Sequence, residues 1–314
     1  MNILVTGASG SIGTVLVDRL VRNGHEVTCL IRDGRKRSKI NIGANFIIAD
    51  ITDREKLLQS MNNINVDALF HLAAINPLER DKKLQNRVNI DGMKNIIDVC
   101  MKNNVKLLVY AQGIGVYGDT KGEWIDESVP KNPDTYFTKK RHEAEQMLWK
   151  TNMDNGLPVT VTVLGDVYGP SGWFADIIID KIRNGSFKIP GSGDYYRSFI
   201  HVDDVANALA LIAEKNAKNN TYIITDDEPV SFAEFVYYVA DRMGLKKPGK
   251  VPTLLAKAIL GSDMVKLLTH SVKTRNRKTK NELGLNLQYP TYKEGVVDIL
   301  QKMLLLKERE PEPS

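Results

Sequence analysis

Short apolar runs alternate with amphipathic stretches from the start of the chain. "NILVTG" (Asn2–Gly7), "EVTCLIR" (Glu26–Arg32), "NFIIAD" (Asn45–Asp50), "DALFHLAA" (Asp67–Ala74) and "KLLVYA" (Lys106–Ala111) read as strands. Ser11–Asn23, Thr52–Ser60 and Asp91–Lys102 read as the helices between them, the first ended by Gly24. "VTVTVLG" (Val159–Gly165) and "TYIITD" (Thr221–Asp226) extend the strand series. Continuous apolar strands separated by helices predict a parallel sheet covered on both faces. The second half is less regular. Gly169–Gly193 is punctuated by Gly and Pro, and helical patterns dominate from Ser231. The pattern predicts an α/β fold: residues 1–165 and 204–226 form a doubly wound parallel sheet. Residues 166–203 and 227–308 form a smaller, mostly helical substrate domain, and the charged, proline-bearing tail 309–314 is expected to be disordered.

Composition adds exclusions. The 314 residues are 42% hydrophobic and 26% charged, as in soluble globular proteins. A net charge of +5 is too small to announce a nucleic-acid partner, and the basic clusters Arg32–Lys39 and Lys273–Lys280 hold most of the excess. The second cluster reads as solvated surface, with binding to RNA kept as a weak third reading. Cys29 and Cys100 sit in apolar segments and make no disulfide framework. No run approaches the ~20 apolar residues that span a bilayer, and glycine punctuation begins too early for a signal peptide. A cytoplasmic protein without a membrane partner is expected.

The first candidate chemistry is "TGASGSIG" (Thr6–Gly13), a Gly-x-x-Gly-x-x-Gly turn between a strand and a helix. Such a turn needs one glycine for tightness, one for close approach of a pyrophosphate and one for helix–strand packing. The helix N-terminus then supplies N–H donors and partial positive charge. In such folds an acid ending the second strand suits the ribose of NAD, and an arginine suits the 2′-phosphate of NADP. Here Arg32, Arg35, Lys36 and Arg37 cluster at that point, so NADP is expected ahead of NAD.

The turn and a train of further motifs resemble the extended short-chain dehydrogenase/reductase family, the NAD(P)-dependent sugar epimerases, dehydratases and reductases of Rossmann fold. The matches are "ADITD" (Ala49–Asp53), "HLAA" (His71–Ala74), "NIDG" (Asn89–Gly92), Tyr136-x-x-x-Lys140, "VYGP" (Val167–Pro170), "RSFIHVDD" (Arg197–Asp204) and "ELG" (Glu282–Gly284). The resemblance implies cofactor contacts at Gly7, Gly10, Ser11, Ile12, Gly13, Arg32, Asp50, Ile51, Leu72, Ala73, Ala74, Asn89, Tyr136, Lys140, Leu164 and Val167. Ile31 stands at the family's acidic position, and Asp50 is implied to meet the adenine amino group. Family members often dimerise through the helix that carries the Tyr/Lys pair, so a homodimer is expected.

Tyr136 and Lys140 lie four residues apart, on one helix face. A neighbouring ammonium favours the phenolate, which can exchange a proton with an alcohol or carbonyl as hydride moves. The family's third catalytic member, a Ser or Thr five residues before the glycine of "VYG", falls on Gly113. Gln112 is the candidate replacement if its amide turns inward. The acidic pair of the sugar dehydratases falls on Ile114 and Gly115, which argues against a dehydratase. Gly113, Asp166 and Arg197 are candidate substrate contacts. Arg197 is read either as a partner for a nucleotide-sugar diphosphate or as a structural partner of Asp203 or Asp204. Trp173, Phe174, Tyr195 and Tyr196 are read as a pocket lining or as packing. His201 with Asp203 and Asp204 lacks a second His or Cys, so no metal site is expected. No Gly-x-Ser-x-Gly or His-Glu-x-x-His pattern points to a hydrolase. The expected activity is an oxidoreductase or epimerase on a sugar nucleotide or related hydroxyl or carbonyl compound. The alternative, raised by Gly113, is a cofactor-binding sensor or partner-binding protein with little catalysis.

Overall fold

The computed structural model describes residues 1–62 and 64–308; the expected tail 309–314 lies outside the described residues. Seven parallel strands form the central sheet: β1 (Asn2–Thr6), β2 (Glu26–Ile31), β3 (Asn45–Ile48), β4 (Ala68–His71), β5 (Leu107–Gly113), β6 (Val159–Leu164) and β7 (Asn220–Ile224). Their spatial order is β7-β6-β5-β4-β1-β2-β3. The order reverses beside β1, between β1 and β4, and ligands of doubly wound sheets bind at such a switch point. Rossmann architecture follows from the apolar runs: β4, β6 and most of β5 are buried along their length.

Helices α1 (Ser11–Arg22), α2 (Arg54–Ser60), α3 (Gly92–Lys102), α4 (Tyr136–Asn155) and α5 (Val202–Glu214) cover the sheet. One apolar cluster packs α1 and α5 on one face, through Leu16, Leu20, Val205 and Leu209. A second packs α3 and α4 on the other, through Ile96, Val99, Ala144 and Leu148. A third cluster joins Tyr168, Phe174, Phe199, Phe235, Tyr292 and Ile299. It includes α6 (Phe232–Arg242). Two exposed-side helices, α7 (Thr253–Leu260) and α8 (Ser262–Thr269), and the closing helix α9 (Tyr292–Glu308) complete the parts used below.

Three boundaries differ from the sequence expectation at the site. β4 stops at His71 because the chain turns off over β1, with the Leu72 amide donating to the Thr6 carbonyl at 3.2 Å. β5 runs two residues past Ala111, since Gly113 still pairs with Leu164 on β6. α3 is entered through a π-turn, Arg87–Asp91, that places Asn89 in the interior.

Candidate functional site

The glycine turn is built for close approach. Gly7 has φ +70°, and a Cβ there would lie 2.7 Å from the Ala73 amide nitrogen. A Cβ on Gly13 would lie 2.2 Å from the Gly7 carbonyl oxygen. Neither position admits a side chain, so turn and β4 loop touch backbone to backbone. Gly10 caps α1 without any side-chain hydrogen bond. The first amides of that helix, at Ser11 and Ile12, are therefore offered outward with the positive end of its dipole. Gly172, at φ +81°, brings the loop after Pro170 to this point, where a Cβ on it would lie 3.2 Å from Ser11 Oγ.

Beneath the turn, the Thr6 hydroxyl lies 2.8 Å from His71 Nδ1 and accepts from the Ala73 amide at 3.2 Å, fixing Leu72–Ala74 over β1. Burial, with the nearby Arg141 charge, pushes the His71 pKa down to about 3. Asn89 accepts from the Ile75 amide at 3.4 Å, while its buried Nδ2 has no partner among the described residues. A buried donor with no acceptor is costly, and a bound polar ligand would relieve it.

At the ends of β2 and β3, Ile31 is 3% exposed and packed in the core, so it offers nothing to a ribose. Asp33 is turned back onto the Arg35 amide and guanidinium. Arg37 lies over the Phe46 ring. Arg32 is exposed and has no hydrogen-bond or ion-pair partner among the described residues. Asp50 accepts from the Thr52 amide and hydroxyl, both at 2.9 Å. Ile51 is buried against Gly92, and its carbonyl accepts from Asn95. These residues fit a dinucleotide: a glycine cradle, an uncapped helix end, an unpaired arginine and an orphaned amide converge on the switch point.

Gly113 ends β5 at φ −95° and ψ 150°, and a Cβ built on it meets nothing within 4 Å. The expected hydroxyl is missing from open space, not from a filled one. Gln112 does not replace it. Adjacent strand residues point to opposite faces, and Gln112 Nε2 donates to the Arg141 carbonyl at 3.0 Å and to Glu145 at 3.3 Å, buried under α4. Leu164 is buried beside Gly113, and the Val167 carbonyl accepts from the Trp173 indole at 2.6 Å.

Thr135 caps α4, its side chain and that of Thr138 each accepting from the other's amide. Its buried stripe is Thr138, Arg141, Ala144, Glu145 and Leu148. Tyr136 and Lys140 are not on this stripe. Tyr136 Oη donates to the Lys82 carbonyl at 3.3 Å, and Lys140 Nζ is held 2.7 Å from Glu143, which raises the lysine pKa. The structure thus keeps the pair on one face, with the Lys140 ammonium 5.8 Å from the centre of the Tyr136 ring. The face one residue on carries Phe137 and Arg141, about 100° further around the helix. Arg141, 6% exposed, donates from Nη2 to the Ala111 carbonyl and lies over the Tyr110 ring, leaving Nε and Nη1 without partners among the described residues.

Arg197 pairs with neither Asp203 nor Asp204. Its Nε and Nη2 grip both oxygens of Asp166, and Nη1 donates to the carbonyls of Leu267 and Leu268 at 2.9 and 3.1 Å. Four of a guanidinium's five N–H groups are consumed, two on Asp166 and two in holding down the last turn of α8. Asp204 instead accepts from the Gln288 and Tyr289 amides. Phe174 is fully buried, and Tyr195 stacks on Phe232, so both are packing; Trp173 is partly buried, and Tyr196 is 40% exposed. His201 and Asp203 come together with Asp298, not Asp204, but the Lys302 ammonium already sits 3.0 and 2.8 Å from the two carboxylates.

Residues 3–225 match the sequence profile described as the NAD dependent epimerase/dehydratase family. The 3-diazoavenalumate denitrifying reductase of a Streptomyces species is 28% identical over 308 residues, covering 94% of this chain and 99% of its own. The UDP-glucose 4-epimerase of Thermus thermophilus, solved with NAD, superposes with a TM-score of 0.84 at 23% identity, over 97% of this chain and 99% of that one. Human epimerase family protein SDR39U1 (isoform 2), solved with NADPH, gives 0.80 at 22% identity, over 96% and 99%. At these identities the two structures speak for the fold. One holds NAD and the other NADPH, so the fold alone does not select the cofactor.

Proposed function

The chain belongs to the NAD dependent epimerase/dehydratase family, as an NAD(P)-dependent oxidoreductase or epimerase, and within it we propose an NADP(H)-dependent reductase. Its substrate is a small carbonyl-type compound that is not anchored through a nucleotide diphosphate. The observation that carries this reading is the engagement of Arg197: a guanidinium locked to Asp166 and two helix carbonyls has almost nothing left for a diphosphate. The full-length relationship to a named reductase supports it.

The cofactor, when bound, supplies the hydride. The remaining work belongs to this chain. Gly7 and Gly13 close the turn and Gly10 lets the pyrophosphate approach, with Ser11 and Ile12 donating from the α1 N-terminus. Arg32 pairs with the 2′-phosphate, and Asp50 and Ile51 flank the adenine end. Leu72, Ala73, Ala74 and Asn89 line the ribose side, with Leu164 and Val167 across from them. Lys140, on the partly exposed face of α4, holds the nicotinamide ribose, and Tyr136 on the same face exchanges the proton. Arg141, buried beneath the helix, holds α4 on β5. Gly113 leaves room for the substrate.

The test is to follow NADPH consumption against a panel of aryl and alkyl aldehydes and ketones, with UDP-glucose and UDP-galactose in parallel. Reduction within the carbonyl panel without interconversion of the nucleotide sugars is expected. Epimerisation of either sugar nucleotide would overturn the reading.

A further inference from the structure

Beside the cleft lies a surface that the reductase reading does not use. α7 contributes a single buried side chain, Ala256. Leu254, Leu255 and Ile259 on the same eight-residue helix are 82%, 53% and 63% exposed, and Leu245 nearby is 38% exposed. Exposed apolar side chains are ordinary when scattered, but a cluster this dense marks a contact surface.

The charged side chains from Leu245 to Ser262 are of one sign. Lys246, Lys247, Lys250 and Lys257 are all exposed. No Asp or Glu occurs from Leu245 to Ser262. Lys188 reaches the same edge, its Nζ 3.4 Å from the position of a Cβ on Gly249. The first acid beyond, Asp263, is turned inward, accepting from the Tyr136 amide at 3.0 Å. The patch also borders the cleft. Arg80 donates to the Ile259 carbonyl at 2.7 Å, and Leu267 of the following helix packs on Gly115, within two residues of Gly113.

We propose that this patch is a docking surface for an anionic lipid bilayer, with α7 lying in the headgroup plane and the cleft mouth turned toward the membrane. Among the described residues no helix is long and apolar enough to cross a membrane. An eight-residue helix is about 12 Å long, so α7 can only lie on the surface. Leucines flanked by lysines are what such a helix needs: apolar burial at the acyl boundary and attraction to acidic headgroups. A second copy fits less well. A symmetric contact would oppose each patch to its own kind, lysines against lysines.

The experiment is co-sedimentation of the full chain with phosphatidylcholine vesicles, with and without a third of phosphatidylglycerol. The expected result is retention on the anionic vesicles, at least about tenfold weaker on the neutral ones and released by high salt. Leu254→Ser/Leu255→Ser, at exposed positions, should weaken retention about tenfold while keeping the parent melting temperature. Lys246→Glu/Lys250→Glu should abolish it. Equal retention on both vesicles, or retention on neither, overturns the proposal. Concentration-dependent dimerisation lost in the leucine variant would assign the patch to a second copy instead, and salt-sensitive capture of an acidic polypeptide without vesicle binding would assign it to a protein.

Discussion

Arg141 donates from Nη2 to the carbonyl of Ala111, two residues before the open position at Gly113. That bond fixes the rotation of α4 relative to β5. Around it, Gln112 bridges the Arg141 carbonyl and Glu145, and Glu145 also receives Lys131 and the Trp149 indole. Burial alone would raise the Glu145 pKa, but Lys131 and the hydrogen bonds hold it below the usual range. A charged network locked under a helix leaves that helix one orientation.

Serine at 113 and serine at 115 should therefore behave differently. Gly113→Ser enters open space on an ordinary backbone and is expected to change stability by no more than about 0.5 kcal/mol. Gly115→Ser would place its Cβ 2.5 Å from Leu267 Cδ1 and 3.3 Å from Thr138 Cγ2. Leu267 is only partly buried and must swing its Cδ1 aside, at a cost of about 0.5–1.5 kcal/mol. Urea denaturation of the two variants checks the contrast.

Asp166→Ala leaves Arg197 buried without its carboxylate. Burial acts to lower the arginine's pKa, and Asp166 more than offsets it in the folded state. Removing one partner of a buried pair costs about 3–5 kcal/mol, and the same denaturation assay should show it. Limited proteolysis should then cut within residues 253–269, because Arg197 holds the carbonyl end of α8.

Three histidines make the fold acid-sensitive. Burial lowers the pKa of His71 to about 3, of His201 to about 4, and of His270 below its ordinary value. Their folded values lie below the unfolded value near ~6.5, so the native state binds fewer protons. The stability they contribute is present above about pH 6.5 and is lost as pH falls toward 4 and 3, at up to about 1.4 kcal/mol per pH unit for each group. Melting temperatures across that range should fall, and His71→Gln should make the slope shallower.

Arg32, at the end of β2, has no partner among the described residues. Arg32→Ala is expected to weaken NADPH binding about tenfold and leave NADH binding within twofold, as loss of a charge-assisted phosphate contact implies. Titration of each cofactor by fluorescence checks this. An equal loss for both would place Arg32 elsewhere in the site.

Much of this was legible in the sequence because backbone needs are local. A glycine at φ +70° and one touching a carbonyl leave their mark at Gly7 and Gly13. Apolar strands announced the sheet and its order of elements. Helix rotation was less legible. Tyr136/Lys140 and Phe137/Arg141 have the same i, i+4 spacing, and spacing does not say which pair faces inward. The buried stripe decides, but two of its members, Arg141 and Glu145, are charged residues that read as surface until their partners Gln112 and Lys131 are known. Arg197 was obscure for a similar reason. Its partners Asp166 and Leu267 lie 31 and 70 residues away, joined only when the short strand Phe199–His201 pairs with Asp166–Tyr168.

The central claim is that Lys140, on the partly exposed face of α4, serves the cofactor, while Arg141 is spent beneath the helix. The most direct measurement is the NADPH dissociation constant of Lys140→Gln and Arg141→Gln, each shown by circular dichroism to be folded. Loss of about tenfold in affinity on Lys140→Gln, with Arg141→Gln within twofold of the parent, is the predicted result. Parent-like affinity in Lys140→Gln together with a loss in Arg141→Gln would contradict it.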